Sequence, residues 1–98
     1  MPSSPVDDAI AELEQRKRST RCSELVSVLA GLGFEVRDGS RGGHKVYTHP
    51  HLKDFTSDGI NCDHGKNPQV KPAYVAKAIR NLKRHKDELE RILGTDHD

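Results

Sequence analysis

The stretch DGSRGGHKVYTHP, residues 38–50, decides the fold. Its first half is rich in glycine and small polar residues, which is typical of a turn. From residue 44 to residue 49 the side chains alternate with a period of two, which predicts a strand. Pro50 ends this strand, because proline has no backbone N–H to donate to a sheet.

A shorter strand is predicted on either side of this segment. Phe34-Glu35-Val36 alternates just before the turn. Residues 55–62 form a third, weaker strand, because Ser57-Asp58-Gly59 interrupts it with a bulge or a turn. Consecutive strands with short connections favour an antiparallel sheet.

Two longer helices flank the three strands. Apolar residues recur at helical spacing over residues 22–32, after an expected cap at Ser19-Thr20 and before two glycines that end the helix. Pro72 opens a final helix, which is expected to run to Gly94 with its apolar residues along one stripe. The predicted class is therefore α+β, a three-stranded antiparallel sheet with helices on one face.

A further helix precedes this core. Ser4 is its expected N-cap and Pro5 its first residue, and Asp7 brings an acid to its first turn. It is predicted over residues 6–18 with a thin apolar stripe, which favours an appended element. The chain is accordingly divided into a tail and appended helix at 1–19, a domain at 20–93 and an acidic tail at 94–98.

Charge is unevenly distributed along the 98 residues. The net charge is only +1, but residues 65–86 carry seven Lys or Arg and no acid, and the carboxylates collect near both ends. A basic face of this kind attracts phosphate or an acidic protein. The chain has no Trp and few other aromatic residues, which argues against a broad stacking platform for single-stranded nucleic acid.

The cysteines and the absence of long apolar runs bear on the compartment. Two cysteines are too few for a disulfide framework, so a reduced cytoplasm is the expected location. No apolar run is long enough to predict a secretion signal or a membrane span. Cys22 lies on the apolar stripe of its helix and is expected in the core, whereas Cys62 is expected either in the core or beside a site.

Histidines and a cysteine gather in the middle of the chain, which raises the possibility of a zinc site. The residues concerned are His44, His49, His51, Cys62 and His64. No CxxC or HxxxH spacing is present among them, which disfavours zinc. We therefore expect no metal and no cofactor.

The order of these segments resembles the HicA toxin family, which are small bacterial ribonucleases of type II toxin–antitoxin systems. The resemblance covers roughly residues 22–82 and depends on the ordered combination of segments. These segments are Leu32-Gly33-Phe34, a Gly-Gly-His turn with the strand after it, His64-Gly65-Lys66, and Val70-Lys71-Pro72 before a helix. The resemblance implies the α-β-β-β-α fold of a double-stranded-RNA-binding domain, here with an extra N-terminal helix.

The chain departs from the family pattern at two places. Gly43 stands where the family usually has serine before its key histidine, and that histidine matches His44. The third strand reads Asn61-Cys62-Asp63-His64, without the usual Val-Pro before the second histidine. The first departure removes a side-chain hydroxyl next to the expected site.

The activity that the resemblance implies is cleavage of messenger RNA, neutralised by a HicB-type antitoxin. RNA supplies its own nucleophile, the 2′-hydroxyl, so cleavage without a metal needs a base, an acid for the 5′-oxygen and cations for the phosphorane. We assign the base to His44, whereas His64 is either the acid or a residue that fixes its loop. The resemblance leaves two oligomeric states open, a homodimer and a toxin–antitoxin hetero-oligomer. No membrane partner is expected.

The residues expected to contact RNA or its phosphates are basic or lack a side chain: Gly43, Lys45, Lys66, Lys71, Lys77 and Arg80. Lys66 and Lys71 fall near the start of the final helix, where free N–H groups favour phosphate. Lys45 is a weaker candidate, because a regular strand turns it away from His44.

Plainer interpretations stay open beside these assignments. A histidine at a strand start is often only a surface residue, a glycine pair often only makes a turn, and a basic run is usually a solvated helix face. Two other functions are therefore carried forward. One is a non-catalytic RNA- or protein-binding module on the same fold, and the other is an element that meets only an acidic protein partner.

Overall fold

The computed structural model describes residues 4–39, 42–62, 65–66 and 68–95. Within these residues, four helices and three strands follow one another in the order α-α-β-β-β-α-α. The elements are α1 (Pro5–Gln15), α2 (Cys22–Gly31), β1 (Glu35–Asp38), β2 (His44–Thr48), β3 (Asp58–Asn61), α3 (Pro72–Arg84) and α4 (Lys86–Thr95). None of the helices in the described part of the chain has the length and apolar character needed to cross a bilayer.

The three strands form one antiparallel sheet in the order β1-β2-β3, which confirms the predicted sheet. Tyr47 of β2 and Ile60 of β3 are buried in the same core as the apolar residues of the helices. The face of the sheet that carries these two side chains is called the core face below. Because side chains alternate along a strand, His44 and Asn61 lie on the opposite, outer face.

The helix α1 is packed into the core, although its thin apolar stripe suggested an appended element. Four of its apolar residues are buried: Val6, Ala9, Ile10 and Leu13. Asp7 forms an ion pair with Lys86 of α4 at 2.8 Å, and Glu14 forms one with Lys83 of α3 at 3.2 Å. The predicted start is confirmed, because the Ser4 hydroxyl accepts a hydrogen bond of 3.0 Å from the Asp7 amide and Pro5 takes the first helical position.

The start of α2 differs from the expected Ser19-Thr20 cap. The Thr20 hydroxyl donates to the carbonyl of Arg16, at 2.6 Å, and so closes the end of the preceding segment. Arg21 is the N-cap residue, and its backbone N–H donates to the Glu24 carboxylate at 2.8 Å. The helix ends as predicted near its glycines, and Gly33 has a φ of 94°.

The final helix was predicted as one element and is two, so that prediction is wrong. His85 breaks it with a φ of −106° and a ψ of 15°, outside the helical range. The ring of His85 is buried and packs edge-on against Phe55, with a centroid distance of 5.6 Å. The basic end of α3 is followed by Asp87 and Glu88 in the first turn of α4, as the dipoles of two successive helices prefer.

Cys22 and Cys62 form a disulfide with a Cα–Cα distance of 5.8 Å. Both residues are buried, which confirms the core position expected for Cys22. The bond joins the first residue of α2 to the residue that follows β3, two segments that are 40 residues apart in the sequence. The spacing of the two cysteines in the sequence did not predict this link.

Candidate functional site

His44 is the first residue of β2 and lies partly buried on the outer face. On one side its carbonyl accepts a hydrogen bond of 2.8 Å from the Gly39 amide, just after β1. On the other side it pairs with Asn61, the last residue of β3. His44 therefore sits in the middle of a row that crosses all three strands at the end of the sheet where the β1–β2 turn lies.

Two glycines make room for the imidazole ring of His44. A β-carbon at Gly39 would overlap the Nδ1 atom, and a β-carbon at Gly59 would stand only 3.1 Å from Nε2. The ring therefore lies across the outer face, with one nitrogen over each neighbouring strand. Among the described residues, no side chain or backbone group forms a hydrogen bond with this ring.

Gly43 is required by the backbone of the turn. Its φ is 80°, in the left-handed region that L side chains rarely adopt, and a β-carbon there would lie 2.6 Å from the carbonyl oxygen of Cys62. The Gly43 carbonyl also accepts a hydrogen bond of 2.7 Å from the Cys62 amide. The glycine at this position thus has a local cause, namely the close approach of the segment that carries the disulfide.

Lys45 lies on the core face, as its alternation with His44 predicted. Its Nζ atom is 2.6 Å from a carboxylate oxygen of Asp38, and this hydrogen bond lowers the pKa of the Asp38 carboxyl. Lys45 also lines an open groove of about 520 Å³, together with Cys22, Ser23, Val26, Ser27 and Pro68. The structure therefore does not bring Lys45 together with His44.

Lys77 also faces away from His44, and it holds Asp58. Its Nζ atom lies 2.9 Å from the Asp58 carboxylate, which also accepts a hydrogen bond of 2.7 Å from the amide of Asn81. Burial works against the charged form of Asp58, but the hydrogen bonds from Lys77 and Asn81 outweigh it, so the pKa is lowered. Asn81 donates a further hydrogen bond of 2.8 Å to the Tyr47 hydroxyl, and burial raises the pKa of Tyr47 to about 12.

Lys71 lies beyond β3, on the far side of Asn61 from His44. It is the N-cap of α3 and follows Val70, which pairs with Cys62, the residue after Asn61. Its backbone is therefore two strand spacings from His44, on the order of 10 Å. Because Val70 is buried and Lys71 is exposed, alternation turns the Lys71 side chain toward the outer face.

The other predicted RNA-contacting residues are less well defined. Lys66 and Arg80 are exposed, and neither has an ion pair with any of the described residues. Arg80 lies on α3, the helix that also carries Lys71 at its start. His64, the expected acid, lies outside the described residues.

His49 is a structural residue of the core. Its Nε2 atom lies 3.1 Å from the carbonyl of Leu32, and its Nδ1 atom accepts a hydrogen bond of 3.1 Å from the amide of His51. Burial lowers the pKa of His49, and its ring packs edge-on against Phe34. Within the described ranges, no group of three or more His, Cys, Asp or Glu side chains is arranged to hold a metal ion.

Sequence reasoning missed three residues around His44, namely Gly39, Gly59 and Asn61. Gly59 was interpreted only as an interruption of the third strand. Asn61 lies opposite His44 because of the register in which β2 and β3 pair. A slip of one residue in this register would turn every side chain of β3 to the other face of the sheet. The sequence does contain one signal for this arrangement. Gly59 stands two residues before the polar Asn61, so the two share a face, and the glycine leaves space on that face for a neighbouring side chain.

No family model, curated protein or solved structure matches the chain. The function proposed next depends on the residues around His44 and on the sequence resemblance.

Proposed function

We propose that this protein is a metal-independent endoribonuclease that cleaves messenger RNA, in the manner of the HicA toxins that its sequence resembles. The observation that carries the proposal is the setting of His44. Its imidazole lies on the outer face between two glycines, and none of the described residues occupies its nitrogens. A ring in this setting can accept a proton from a substrate that approaches the sheet.

The fold is compatible with this activity. The central elements α2, β1, β2, β3 and α3 follow the α-β-β-β-α order of a double-stranded-RNA-binding domain, with the antiparallel order β1-β2-β3. We assign the domain to that fold class. In it, α1 and α4 are additions that extend the core on the side of the helices.

The proposed reaction is a transesterification, in which the 2′-oxygen replaces the 5′-oxygen on the adjacent phosphorus of the RNA backbone. His44 takes the 2′-hydroxyl proton as the oxygen attacks the adjacent phosphorus, and the bond from phosphorus to the 5′-oxygen breaks. The leaving oxygen receives a proton from His64, our proposed acid. The products are a 2′,3′-cyclic phosphate and a 5′-hydroxyl, so no water or metal is needed in this step.

Cations must stabilise the extra charge on the phosphorane. Lys71 is the first candidate, because it lies on the outer face beside the row of His44 and Asn61 and is exposed. Lys66 and Arg80 are the next, and Gly43 is proposed to contact the RNA through its backbone, since the Cys62 carbonyl fills the position of a side chain there. Lys45 and Lys77 are weaker candidates, because each is paired with a carboxylate on the other side of the sheet.

The proposal includes a protein partner and a location. We infer a HicB-type antitoxin that silences the activity, in the bacterial cytoplasm where messenger RNA is found, and a toxin–antitoxin hetero-oligomer as the resting assembly. A HicB-like protein encoded in the neighbouring reading frame should copurify with this chain and suppress its RNA cleavage. Absence of such a neighbour would remove the antitoxin part of the proposal and leave the nuclease part to be tested separately.

The nuclease activity is tested with purified protein and a labelled RNA in the presence of a strong chelator. We expect fragments ending in 2′,3′-cyclic phosphate, and no cleavage of the same oligonucleotide made with 2′-deoxyribose. Cleavage that requires an added metal, or that also cuts the 2′-deoxy strand, would contradict the proposed chemistry.

One observation favours the alternative of a non-catalytic RNA-binding module. No described carboxylate or carbonyl orients the His44 ring, whereas catalytic histidines are usually held by such a partner. Tight RNA binding that weakens steeply with added salt, without any cleavage, would support this alternative.

A further inference from the structure

We propose that Asn61 is a substrate-contacting residue that holds the scissile phosphate beside the Nε2 atom of His44, and that Gly39 and Gly59 are positioning residues that aim this nitrogen. The inference depends on the proposed ribonuclease function and adds to it the atoms that meet the RNA.

The first step is the orientation of the His44 ring. Its Nδ1 atom lies against Gly39, on the β1 side, so closely that no β-carbon fits there. Its Nε2 atom lies near Gly59, on the β3 side, where a β-carbon would be at 3.1 Å. The ring therefore directs Nδ1 toward Gly39 and Nε2 toward β3. We take Nε2, which lies on the side of Asn61, as the nitrogen that accepts the 2′-hydroxyl proton.

The second step is the space beside Nε2. Gly59 and Asn61 are two residues apart on β3, so they share the outer face. Gly59 has no side chain, so the His44 ring lies over it, and Nε2 shares the outer face with the exposed Asn61. Side chains directly opposite each other on antiparallel strands start about 5 Å apart at their β-carbons, a separation that one phosphate group can bridge.

The third step is the chemistry of Asn61. Its carboxamide has two N–H donors, which suit the non-bridging oxygens of a phosphodiester. Phosphate bound there would place the neighbouring 2′-hydroxyl within reach of Nε2, with Lys71 beyond β3 as a cation on the other side of Asn61. A neutral donor next to the base and a cation farther out are both needed when charge develops on the phosphorane.

Gly59→Ala tests the positioning part. The added methyl group must shift the His44 ring by a few tenths of an ångström, while its next neighbour, the Lys45 carbonyl at 3.7 Å, is at ordinary contact distance, so the sheet should persist. We expect kcat for RNA cleavage to fall by at least about tenfold with little change in KM, because a misplaced base is slow although the RNA still binds. Gly31→Ala is the matched control, since nothing lies within 4 Å of a β-carbon there.

Asn61→Asp and Asn61→Gln test the contact with phosphate. A carboxylate at this position repels RNA, so Asn61→Asp should weaken binding of a non-cleavable 2′-O-methyl RNA by roughly tenfold or more. Glutamine keeps the donors and should restore part of the affinity. A merely structural role for Asn61 would not distinguish these two variants in this way.

Nitrogen NMR of the His44 ring provides a readout that does not depend on activity. Addition of inorganic phosphate should shift the signals of Nε2 and of the Asn61 side-chain amide together, and Gly59→Ala should shift the Nε2 signal without phosphate. If the wild-type protein cleaves RNA and the Gly59 and Asn61 variants cleave and bind equally well, this inference is wrong and the proposed function stands. If the wild-type protein cleaves no RNA, the proposed function fails, and phosphate shifts confined to other residues would overturn the phosphate site as well.

Discussion

The backbone amide of Cys62 donates a hydrogen bond of 2.7 Å to the carbonyl of Gly43, directly before His44. This contact brings the end of β3 so close to the β1–β2 turn that a β-carbon on Gly43 would touch the Cys62 carbonyl oxygen. Cys62 is in turn bonded to Cys22 at the start of α2. The backbone that presents His44 is thus fixed to both the sheet and a helix.

Gly43→Ser should destabilise the protein by about 1–3 kcal/mol, because serine must adopt a left-handed backbone and avoid the Cys62 carbonyl. Urea denaturation of the two proteins measures this difference. Gly42→Ser is the matched control, because nothing lies within 4 Å of a β-carbon at Gly42. A Gly43→Ser protein as stable as the wild type would show that the turn is not constrained as described.

Breaking the disulfide should lower the free energy of unfolding by about 4 kcal/mol, because the bond closes a long loop in the unfolded chain. The measurement is urea denaturation of the wild type with and without a dithiol reductant. The Cys22→Ser/Cys62→Ser double variant should match the reduced wild type and be insensitive to the reductant. Equal stability of the oxidised and the reduced protein would contradict the prediction that the disulfide stabilises the fold. In a cytoplasm that keeps thiols reduced, the protein would work in its less stable form.

Acidification should destabilise the protein through His49. Its pKa is lowered in the folded state because burial disfavours the charged ring, and a protonated Nδ1 can no longer accept from the His51 amide. The stabilisation is therefore present above the unfolded pKa of about 6.5 and is lost as the pH falls through this value toward the lower folded pKa. Denaturation midpoints between about pH 7 and pH 5 measure the effect. His49→Gln should abolish that part of the pH dependence, and an unchanged slope in this variant would assign the effect to another group.

Asn81→Ala should destabilise the protein by about 1–3 kcal/mol, because it leaves the Tyr47 hydroxyl and one oxygen of the Asp58 carboxylate without their common donor. Thermal denaturation measures the change, and Arg80→Ala, an exposed neighbour on α3, is the control. Because the pKa of Tyr47 is raised to about 12, its contribution is present below pH 10.0 and is lost as the pH rises above that value. A loss in Asn81→Ala no larger than in the control would contradict the role given to this network.

The sheet and its turn were predictable because the information is local. Alternation from residue 44, the glycines before it and Pro50 after it define β2 within a single segment. The start of α1 was predictable for the same reason, since Ser4 and Pro5 act on the next turn of chain.

The break at His85 and the disulfide were not predictable, because each depends on residues far away in the sequence. No glycine or proline interrupts residues 73–93, and the break is accompanied by packing of His85 against Phe55. Cys22 and Cys62 are 40 residues apart and meet only when β3 lies beside the start of α2. The position of Asn61 opposite His44 likewise required the register of the sheet.

The central claim is that His44 is the general base of an RNA-cleaving site. The most direct test is the single-turnover rate of RNA cleavage by the wild type, by His44→Ala and by His51→Ala, whose ring is exposed and which serves as the control. The proposal predicts a loss of roughly 10²–10⁴-fold in His44→Ala, with His51→Ala close to the wild type. Undiminished cleavage by a folded His44→Ala protein would contradict it.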